Sequence, residues 1–188
     1  EEHILDDPDT YIGSVELLKD DLYIYDDDNK IIQKTLSYNP GLLKLFDEGI
    51  VNCRDHYIRT KNDSTIKDKV TKINVTVEND VITLFNNGCG IDVEIHPEYK
   101  KWIPELIFGH LRTSTNYDKK QEKITGGKNG FGFKLVLIWS EYGIVETVDK
   151  KRKKKYIQRF DNNLDIINEP IITDCNSKPY TKVTFKPD

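Results

Sequence analysis

The sequence predicts an α/β (α+β) two-layer sandwich, in which a mostly antiparallel, mixed sheet is covered by helices on one face. Three observations predict this class. Alternating apolar segments occur in adjacent hairpins, helical repeats lie between them, and 188 residues are enough to bury one core. Hairpins separated by helices favour one layer of sheet and one of helix, so we expect residues 1–188 to form a single domain.

Strands are predicted where apolar and polar residues alternate between turn residues. DDPDTYIGS is rich in turn residues, and LYIYDDDNKIIQKTLSY predicts a hairpin about the acidic turn 26–29. Residues 73–77 alternate as a strand, Asn79-Asp80 turns the chain, and VITLF returns as a second strand that ends in NNGCG. YGIVETV, YIQRF and KVTF predict three further strands.

Three helices are predicted between these strands. Asn39 is suited to cap the first helix and Pro40 to its first position, and the apolar repeat continues to about Arg59. The core face of this helix is predicted to carry Leu45, Phe46 and Val51. Pro104 begins a short second helix, PELIFGH, and a glycine-rich segment leads into a third over about 130–140.

Composition narrows the classes of function. Charged residues make up 32% of the chain and hydrophobic residues 37%, and the apolar runs are too short to span a bilayer, so we expect no membrane partner. A net charge of −4 argues against a chain-wide nucleic-acid footprint. Three widely separated cysteines without a C-x-x-C pair predict an intracellular setting and no zinc site.

The segment TGGKNGFGFK, residues 125–134, combines four glycines with a terminal lysine. Its spacing fits neither a Walker A loop nor the dinucleotide fingerprint, whose glycines occur in the opposite order. Glycine-rich backbone just before a helix is suited to hold phosphate, because its free N–H groups point at the ligand. A mobile surface loop is the alternative that this segment alone leaves open.

Two further groups of residues suit nucleotide chemistry. Glu48, Asn52 and Asp55 are four and three residues apart, so they project from one face of the first long helix. Glu48 is suited to accept a proton from water and the Asn52 oxygen to bind Mg²⁺. Asn86 is suited to bond an exocyclic amine, beside glycines that admit a flat ring. A solvated helix face and a plain strand-ending turn are the alternatives.

Taken in order, these motifs resemble the GHKL ATPases. E-x-x-x-N on a helix is followed by N-N-G-x-G after a strand, by T-S-[ST]-N, and by G-G-x-N-G-[FY]-G-x-K. EHIL..PDTYIGS, PGL.K.FDE..VN and V-T-F-.-P-D are in particular similar to the ATPase domain of type IIA DNA topoisomerases of the eukaryotic and large-virus kind. The resemblance covers essentially the whole chain and implies the GHKL fold.

The resemblance implies a role for each matching position. Glu48 would be the general base that orients water toward the γ-phosphate of ATP, Asn52 would hold Mg²⁺ against the phosphates, and Asn86 would contact adenine. Residues 127–134 would form the lid over the triphosphate. The remaining nucleotide contacts are implied at Asp55, Gly90, Ser114, Thr115, Asn116, Gly127, Lys128, Asn129, Gly130, Phe131, Gly132, Phe133 and Lys134.

For the whole enzyme, the resemblance implies an ATP-closed gate that dimerises and drives DNA strand passage. We expect DNA and a second copy as partners at full length, and a largely monomeric, weakly hydrolysing fragment, because the transducer and DNA-cleavage domains lie outside these residues. The implied location is the nucleus, or the replication site or virion of a large DNA virus. Alternatives are a nucleotide switch without hydrolysis, a mismatch-repair clamp, a chaperone or a sensor kinase.

Four residues depart from the family pattern. Gly49 stands where an aliphatic residue is usual, His56 where an asparagine is usual, Cys89 where a basic residue is common, and Phe133 where a small residue is usual. The run KKRKKK, residues 150–155, lies between two predicted strands. It is interpreted as a solvated hairpin tip, with a DNA contact or a localisation signal as the alternative.

Overall fold

The computed structural model describes residues 2–110 and 132–188, with the side chains of residues 2 and 3 excepted. The chain divides into two compact units, Glu1–Asp47 and Glu48–Asp188, and the boundary falls inside one long helix. The expectation of a single domain over 1–188 stays a prediction.

The first unit consists of two single-turn helices, a β-hairpin and the first turns of a long helix. Asn29 adopts a left-handed φ of 61° in the hairpin turn, as the acidic-turn prediction requires. The Asn39 side-chain oxygen accepts a hydrogen bond from the Leu42 amide at 3.0 Å, which confirms its predicted capping role. The elements are α1 Glu2–Leu5, α2 Pro8–Tyr11, β1 Leu18–Tyr25, β2 Ile31–Tyr38 and α3 Pro40–Asn62.

The second unit is built on a seven-stranded sheet in the order β3-β4-β9-β5-β6-β7, with β8 also paired to β6. Every described strand pair is antiparallel, and the predicted fold class is confirmed. The short β7 and β8 are not predicted from the sequence. The elements are β3 Ile73–Glu78, β4 Val81–Asn87, α4 Ile103–Gly109, α5 Gly132–Ile138, β5 Ser140–Asp149, β6 Lys154–Asp161, β7 Ile166–Ile167, β8 Ile171–Asp174 and β9 Tyr180–Pro187.

Helix α5 packs closely on β5. A Cβ built on Gly143 would lie 2.2 Å from Leu137 Cδ2, so any larger residue here would have to displace the Leu137 side chain. Val136 and Ile138 are fully buried beside Leu137. This arrangement holds the last turn of α5 against the sheet. Across residues 2–110 and 132–188, no helix has both the length and the apolar character needed to cross a membrane.

The buried side of α3 differs from the prediction. Val51 is 36% exposed, so its assignment to the core is wrong, whereas Leu45 is 3% exposed as predicted. The buried stripe instead uses small residues that bring the helix close to its neighbours: at Gly49, a Cβ would lie 2.4 Å from Leu84 Cδ1 of β4. Apolar periodicity alone does not reveal a stripe of this kind. Its members are Gly41, Leu45, Gly49, Cys53 and Thr60.

Candidate nucleotide-binding site

Helices α3 and α5 meet at Gly132. A Cβ built on this glycine would lie 3.1 Å from Glu48 Oε2 and 3.9 Å from Asn52 Nδ2. The end of the glycine-rich segment therefore lies directly against the two residues of the E-x-x-x-N motif. Both are half-buried, and one turn of helix separates them, so a carboxylate and an amide face the same space.

Asp55 continues this face of α3 by a further turn. Its carboxylate contacts the Arg54 guanidinium at 3.4 Å, and its side chain is 36% exposed. A pair as open as this is worth little to stability, so Asp55 is available to a ligand at small cost. Within the described residues, no group of three His, Cys, Asp or Glu side chains could hold a metal ion on protein ligands alone.

A polar row crosses three strands on the helix-covered face of the sheet. Asn86, at the end of β4, pairs with Thr181 of β9, and Thr181 pairs with Thr147 of β5. The two threonine hydroxyls lie 3.0 Å apart, and Asn86 Nδ2 donates to the Asn87 carbonyl at 3.0 Å. Asn86 is 5% exposed. A buried row of hydroxyls and an amide can read the polar edge of a flat ring.

The turn after β4 lies tightly against β5. Gly88 adopts a φ of +94°, which favours glycine, and a Cβ on Gly90 would lie 2.1 Å from the Val148 carbonyl oxygen. The Ile91 amide then donates to Thr147 Oγ1 at 3.0 Å. The two glycines of NNGCG are therefore required by the backbone path itself.

The start of α5 carries the last predicted contacts. Lys134 is 3% exposed in the first turn of the helix. The Phe133 ring lies in the core, edge-on to Phe108 at 5.3 Å and to Phe185 at 6.1 Å between ring centroids. Any contact of Phe133 with a nucleotide would therefore come from its backbone.

The other predicted contacts lie outside the described residues. These include the hydroxyl-rich segment before the glycine loop and most of the loop, so their roles stay predictions. They are Ser114, Thr115, Asn116, Gly127, Lys128, Asn129, Gly130 and Phe131.

Two of the four residues that are predicted to depart from the family pattern, His56 and Cys89, contact each other. His56 Nε2 donates to the Cys89 carbonyl at 2.8 Å, while Nδ1 accepts from Arg59 at 2.6 Å. Burial lowers the pKa of His56; the bond to the Cys89 carbonyl opposes this shift, and the charge of Arg59 reinforces it. The lowered pKa favours the neutral ring, and the two hydrogen bonds fix one tautomer and join α3 to the turn after β4.

Burial also governs the thiols of this region. It raises the pKa of the Cys53 thiol to about 11 and raises that of Cys89 as well. Neither thiol is activated as a nucleophile, because both shifts favour the protonated form.

Sequence reasoning missed the β5 residues that support this turn. Besides Thr147, Asp149 faces the same side of the strand, is 5% exposed, and accepts the Val93 amide at 2.9 Å. The sequence signal for these residues is a threonine and an aspartate two positions apart on the inward side of a strand. Buried polar side chains need partners, so this pair indicates a contact with another segment.

Comparison with known proteins gives a consistent result. The family described as "Histidine kinase-, DNA gyrase B-, and HSP90-like ATPase" matches residues 38–188. DNA topoisomerase 2 of Acanthamoeba polyphaga mimivirus is 48% identical over the whole chain, and that of Arabidopsis thaliana is 49% identical. The chain spans only 15% and 12% of these two proteins.

Solved structures agree. The ATPase region of Saccharomyces cerevisiae topoisomerase II superposes with a TM-score of 0.87 at 45% identity, over all of this chain and 49% of that one. The ATPase domain of Thermus thermophilus gyrase B shares the fold, with 24% identity and a TM-score of 0.67. The match covers all of this chain and 38% of the gyrase B chain. With this fold and the matched residues 38–188, the chain belongs to the family of histidine kinase-, DNA gyrase B- and HSP90-like ATPases.

Proposed function

We propose that the chain is the ATP-binding and ATP-hydrolysing gate of a type II DNA topoisomerase, whose ATP-driven dimerisation drives DNA strand passage. The observation that carries the proposal is the meeting of Glu48, Asn52 and Gly132, because it joins the E-x-x-x-N helix to the end of the glycine-rich segment. The 48–49% identity to DNA topoisomerase 2 proteins over the whole chain supports the choice within the family.

The residues present fit a magnesium nucleotide. Gly132 leaves open the space beside Glu48 Oε2 and Asn52 that a methyl group would fill. Mg²⁺ prefers oxygen ligands and takes only one or two from protein when phosphates supply the rest, so the Asn52 carboxamide oxygen is sufficient. When bound, Mg²⁺ neutralises charge on the phosphates during transfer to water.

Different residues of the chain bind the ring, bind the phosphates and activate the water. Asn86 and the threonine row hold the adenine ring, and the backbone at the start of α5 holds phosphate. Glu48 lies one helical turn before Asn52, so it is placed to orient a water toward the γ-phosphate and accept its proton. Lys134 lies on the first turn of α5 and adds positive charge to the phosphate end.

The identity to DNA topoisomerase 2 proteins supports a proposal for the partners as well. In the whole protein, a second copy closes the gate and duplex DNA is the substrate, whereas the 188 residues alone stay largely monomeric and hydrolyse ATP slowly. The relatives are eukaryotic and viral. The activity accordingly belongs in the nucleus of a cell or at the replication site of a large DNA virus.

The decisive experiment is calorimetric titration of a non-hydrolysable ATP analogue into the 188-residue chain, with and without Mg²⁺. We expect the wild-type chain to bind the analogue more tightly when Mg²⁺ is present. In Asn52→Ala, the affinity should no longer depend on Mg²⁺. Arg54→Ala, an exposed neighbour on the same helix, is the matched control and should bind as the wild type does.

Two results would contradict the proposal. A folded wild-type chain that binds no adenine nucleotide, also when extended at both ends, would remove the nucleotide site. A longer, dimerising protein that binds ATP but turns it over no faster than its Glu48→Gln variant would instead favour a nucleotide switch.

A further inference from the structure

The basic run Lys150–Lys155 covers the turn between β5 and β6 and the first two residues of β6, and it lies beside the loop 88–94 that follows β4. The sequence leaves open whether this run contacts DNA or is only solvated. The proposed function does not use it. Its side-chain partners indicate a different role.

Most of its charges are already paired within the protein. Arg152 has three carboxylate partners, and Lys150 lies 2.8 Å from Asp68. Lys154 pairs with Asp174 at 2.5 Å, and Lys155 pairs with Glu146 at 2.8 Å. Affinity for DNA rises with the number of phosphates that cations neutralise, so a run paired in this way is poorly suited to bind a polyanion.

Arg152 forms ion pairs with the C-terminal end of the loop 88–94. Its guanidinium contacts Asp92 at 3.2 Å and Glu94 at 2.5 Å, on either side of Val93. The same guanidinium contacts Asp149 Oδ2 at 2.9 Å.

Asp149 binds both Arg152 and the same end of the loop. It accepts the Val93 amide at 2.9 Å and the Arg152 amide at 3.1 Å. Its side chain is almost fully buried, whereas 24% of the Arg152 side chain is exposed. One buried carboxylate therefore joins the basic turn to the backbone of the loop.

Lys150 is connected to the N-terminal end of the same loop through Asp68. The Asp68 carboxylate that it contacts belongs to a residue whose carbonyl accepts the Cys89 amide at 2.8 Å. The basic turn therefore holds the loop at residue 89 through Asp68 and at residues 92–94 directly. Between these points, Gly90 is pressed against Val148 and Ile91 is bonded to Thr147.

We propose that the basic turn is an internal clamp, and that Arg152 is a positioning residue that holds the loop 88–94 in the shape that reads the adenine ring. The inference rests on the proposed nucleotide site. It gives the basic run a role in base selectivity instead of a contact with DNA. Arg152 itself does not touch the nucleotide.

The test uses the 188-residue chain with Arg152→Met, Arg152→Lys and the control Lys151→Met. Lys151 is exposed and has no ion pair with a described residue, so the control removes the same charge without the clamp. Dissociation constants for ADP and for inosine diphosphate, which lacks the exocyclic amine, are measured by calorimetry. Retention of a fluorescent 20-base-pair DNA duplex at low salt is measured in parallel.

We expect Arg152→Met to weaken ADP binding about fivefold or more and to narrow the preference for ADP over inosine diphosphate. Arg152→Lys should fall between, because one ammonium cannot bridge three carboxylates in fork geometry. Lys151→Met should match the wild type. A general loss of packing would lower both affinities alike and leave the preference unchanged, so the preference separates positioning from stability.

Four outcomes would overturn the clamp: wild-type ADP affinity and selectivity in Arg152→Met, an equal weakening of ADP and inosine diphosphate in that variant, an equal loss in Lys151→Met, or a loss of duplex retention with ADP binding unchanged. A folded wild-type chain that binds neither nucleotide, also when extended at both ends, would overturn the proposed function and the clamp together. Binding by the wild type with no effect of Arg152→Met would overturn the clamp alone.

Discussion

Gly49 and Phe133 share one space in the core: a Cβ at position 49 would lie 3.5 Å from Phe133 Cε2. The resemblance predicts a departure from the family pattern at both positions, with a missing side chain on α3 and an added ring on α5. The same Cβ would lie 2.4 Å from Leu84 Cδ1, so an added side chain at position 49 would displace Leu84 and touch the Phe133 ring.

This pairing predicts strong coupling in a double-mutant cycle. Gly49→Val alone should destabilise the chain by about 1 to 3 kcal/mol, because the added methyl groups meet Leu84 and Phe133 in a closed core. Phe133→Ala alone should cost about 3 to 5 kcal/mol through the cavity that it leaves. The double variant should recover at least about 1 kcal/mol relative to the sum, measured by urea unfolding. Strict additivity would show that the two positions do not share a space.

Gly90→Ala should disrupt the turn after β4. The new methyl group would meet the Val148 carbonyl oxygen at 2.1 Å, and backbone cannot move aside as a flexible side chain can. We expect a loss of about 1 to 3 kcal/mol in the free energy of unfolding and at least tenfold weaker ADP binding. Unfolding curves and calorimetry check the two effects. Val51→Ala, at an exposed position on α3, is the control, and its ADP affinity should equal that of the wild type.

Glu146 should make stability depend on pH at the acidic end. Burial acts to raise the pKa of this carboxyl, but hydrogen bonds from Lys155, Lys182 and Tyr180 lower it from 4.5 to about 2. The lowered pKa means that the unfolded chain takes up the proton first. The stabilisation is therefore complete above pH 4.5 and is lost as the pH falls toward 2.

The size of this effect should be about 2 to 3 kcal/mol between pH 5 and pH 2, measured by chemical unfolding at each pH. Glu146→Gln should flatten the dependence over this window. Glu141→Gln, which removes an exposed partner of Lys186, should change it far less. An unchanged slope in Glu146→Gln would show that other carboxyls control acid stability.

Glu48→Gln should separate binding from hydrolysis. The amide keeps the size of the side chain but cannot accept the proton of water, and a general base contributes about 10²- to 10⁴-fold to rate. In a protein long enough to dimerise, we expect at least a hundredfold loss in the ATPase rate with ATP affinity within about threefold of the wild type. Steady-state kinetics and calorimetry give the two numbers. Equal losses of binding and turnover would assign Glu48 to binding instead of catalysis.

The regular elements are predictable because local rules determine them. The cap at Asn39, the turn at Asn79-Asp80 and the alternation in β4 each appear in the structure where the sequence indicates them. The failures have a common physical cause. Val51 was assigned to the core because it is apolar, whereas α3 buries glycine, cysteine and threonine where it lies close to its neighbours.

The sequence predicts the motif residues of the candidate site better than it predicts the residues that hold them in place. Glu48, Asn52 and Asn86 follow from motif spacing, and the structure brings the first two beside Gly132. The partners that shape the turn, such as Asp149 and Arg152, come from the end of β5 and the turn after it, about sixty residues downstream. Local pattern contains no information on which distant carboxylate meets which backbone amide.

The position of β9 has a consequence for how the protein is made. This last strand lies between β4 and β5, pairing Ile82 with Phe185 on one side and Val145 with Val183 on the other. On the ribosome, at about 5 to 20 residues per second, β4 therefore waits roughly 5 to 20 s for its second neighbour. The central strand is therefore the last strand of this sheet to be translated, and the nascent chain completes the row of Asn86, Thr181 and Thr147 only when synthesis has passed β9.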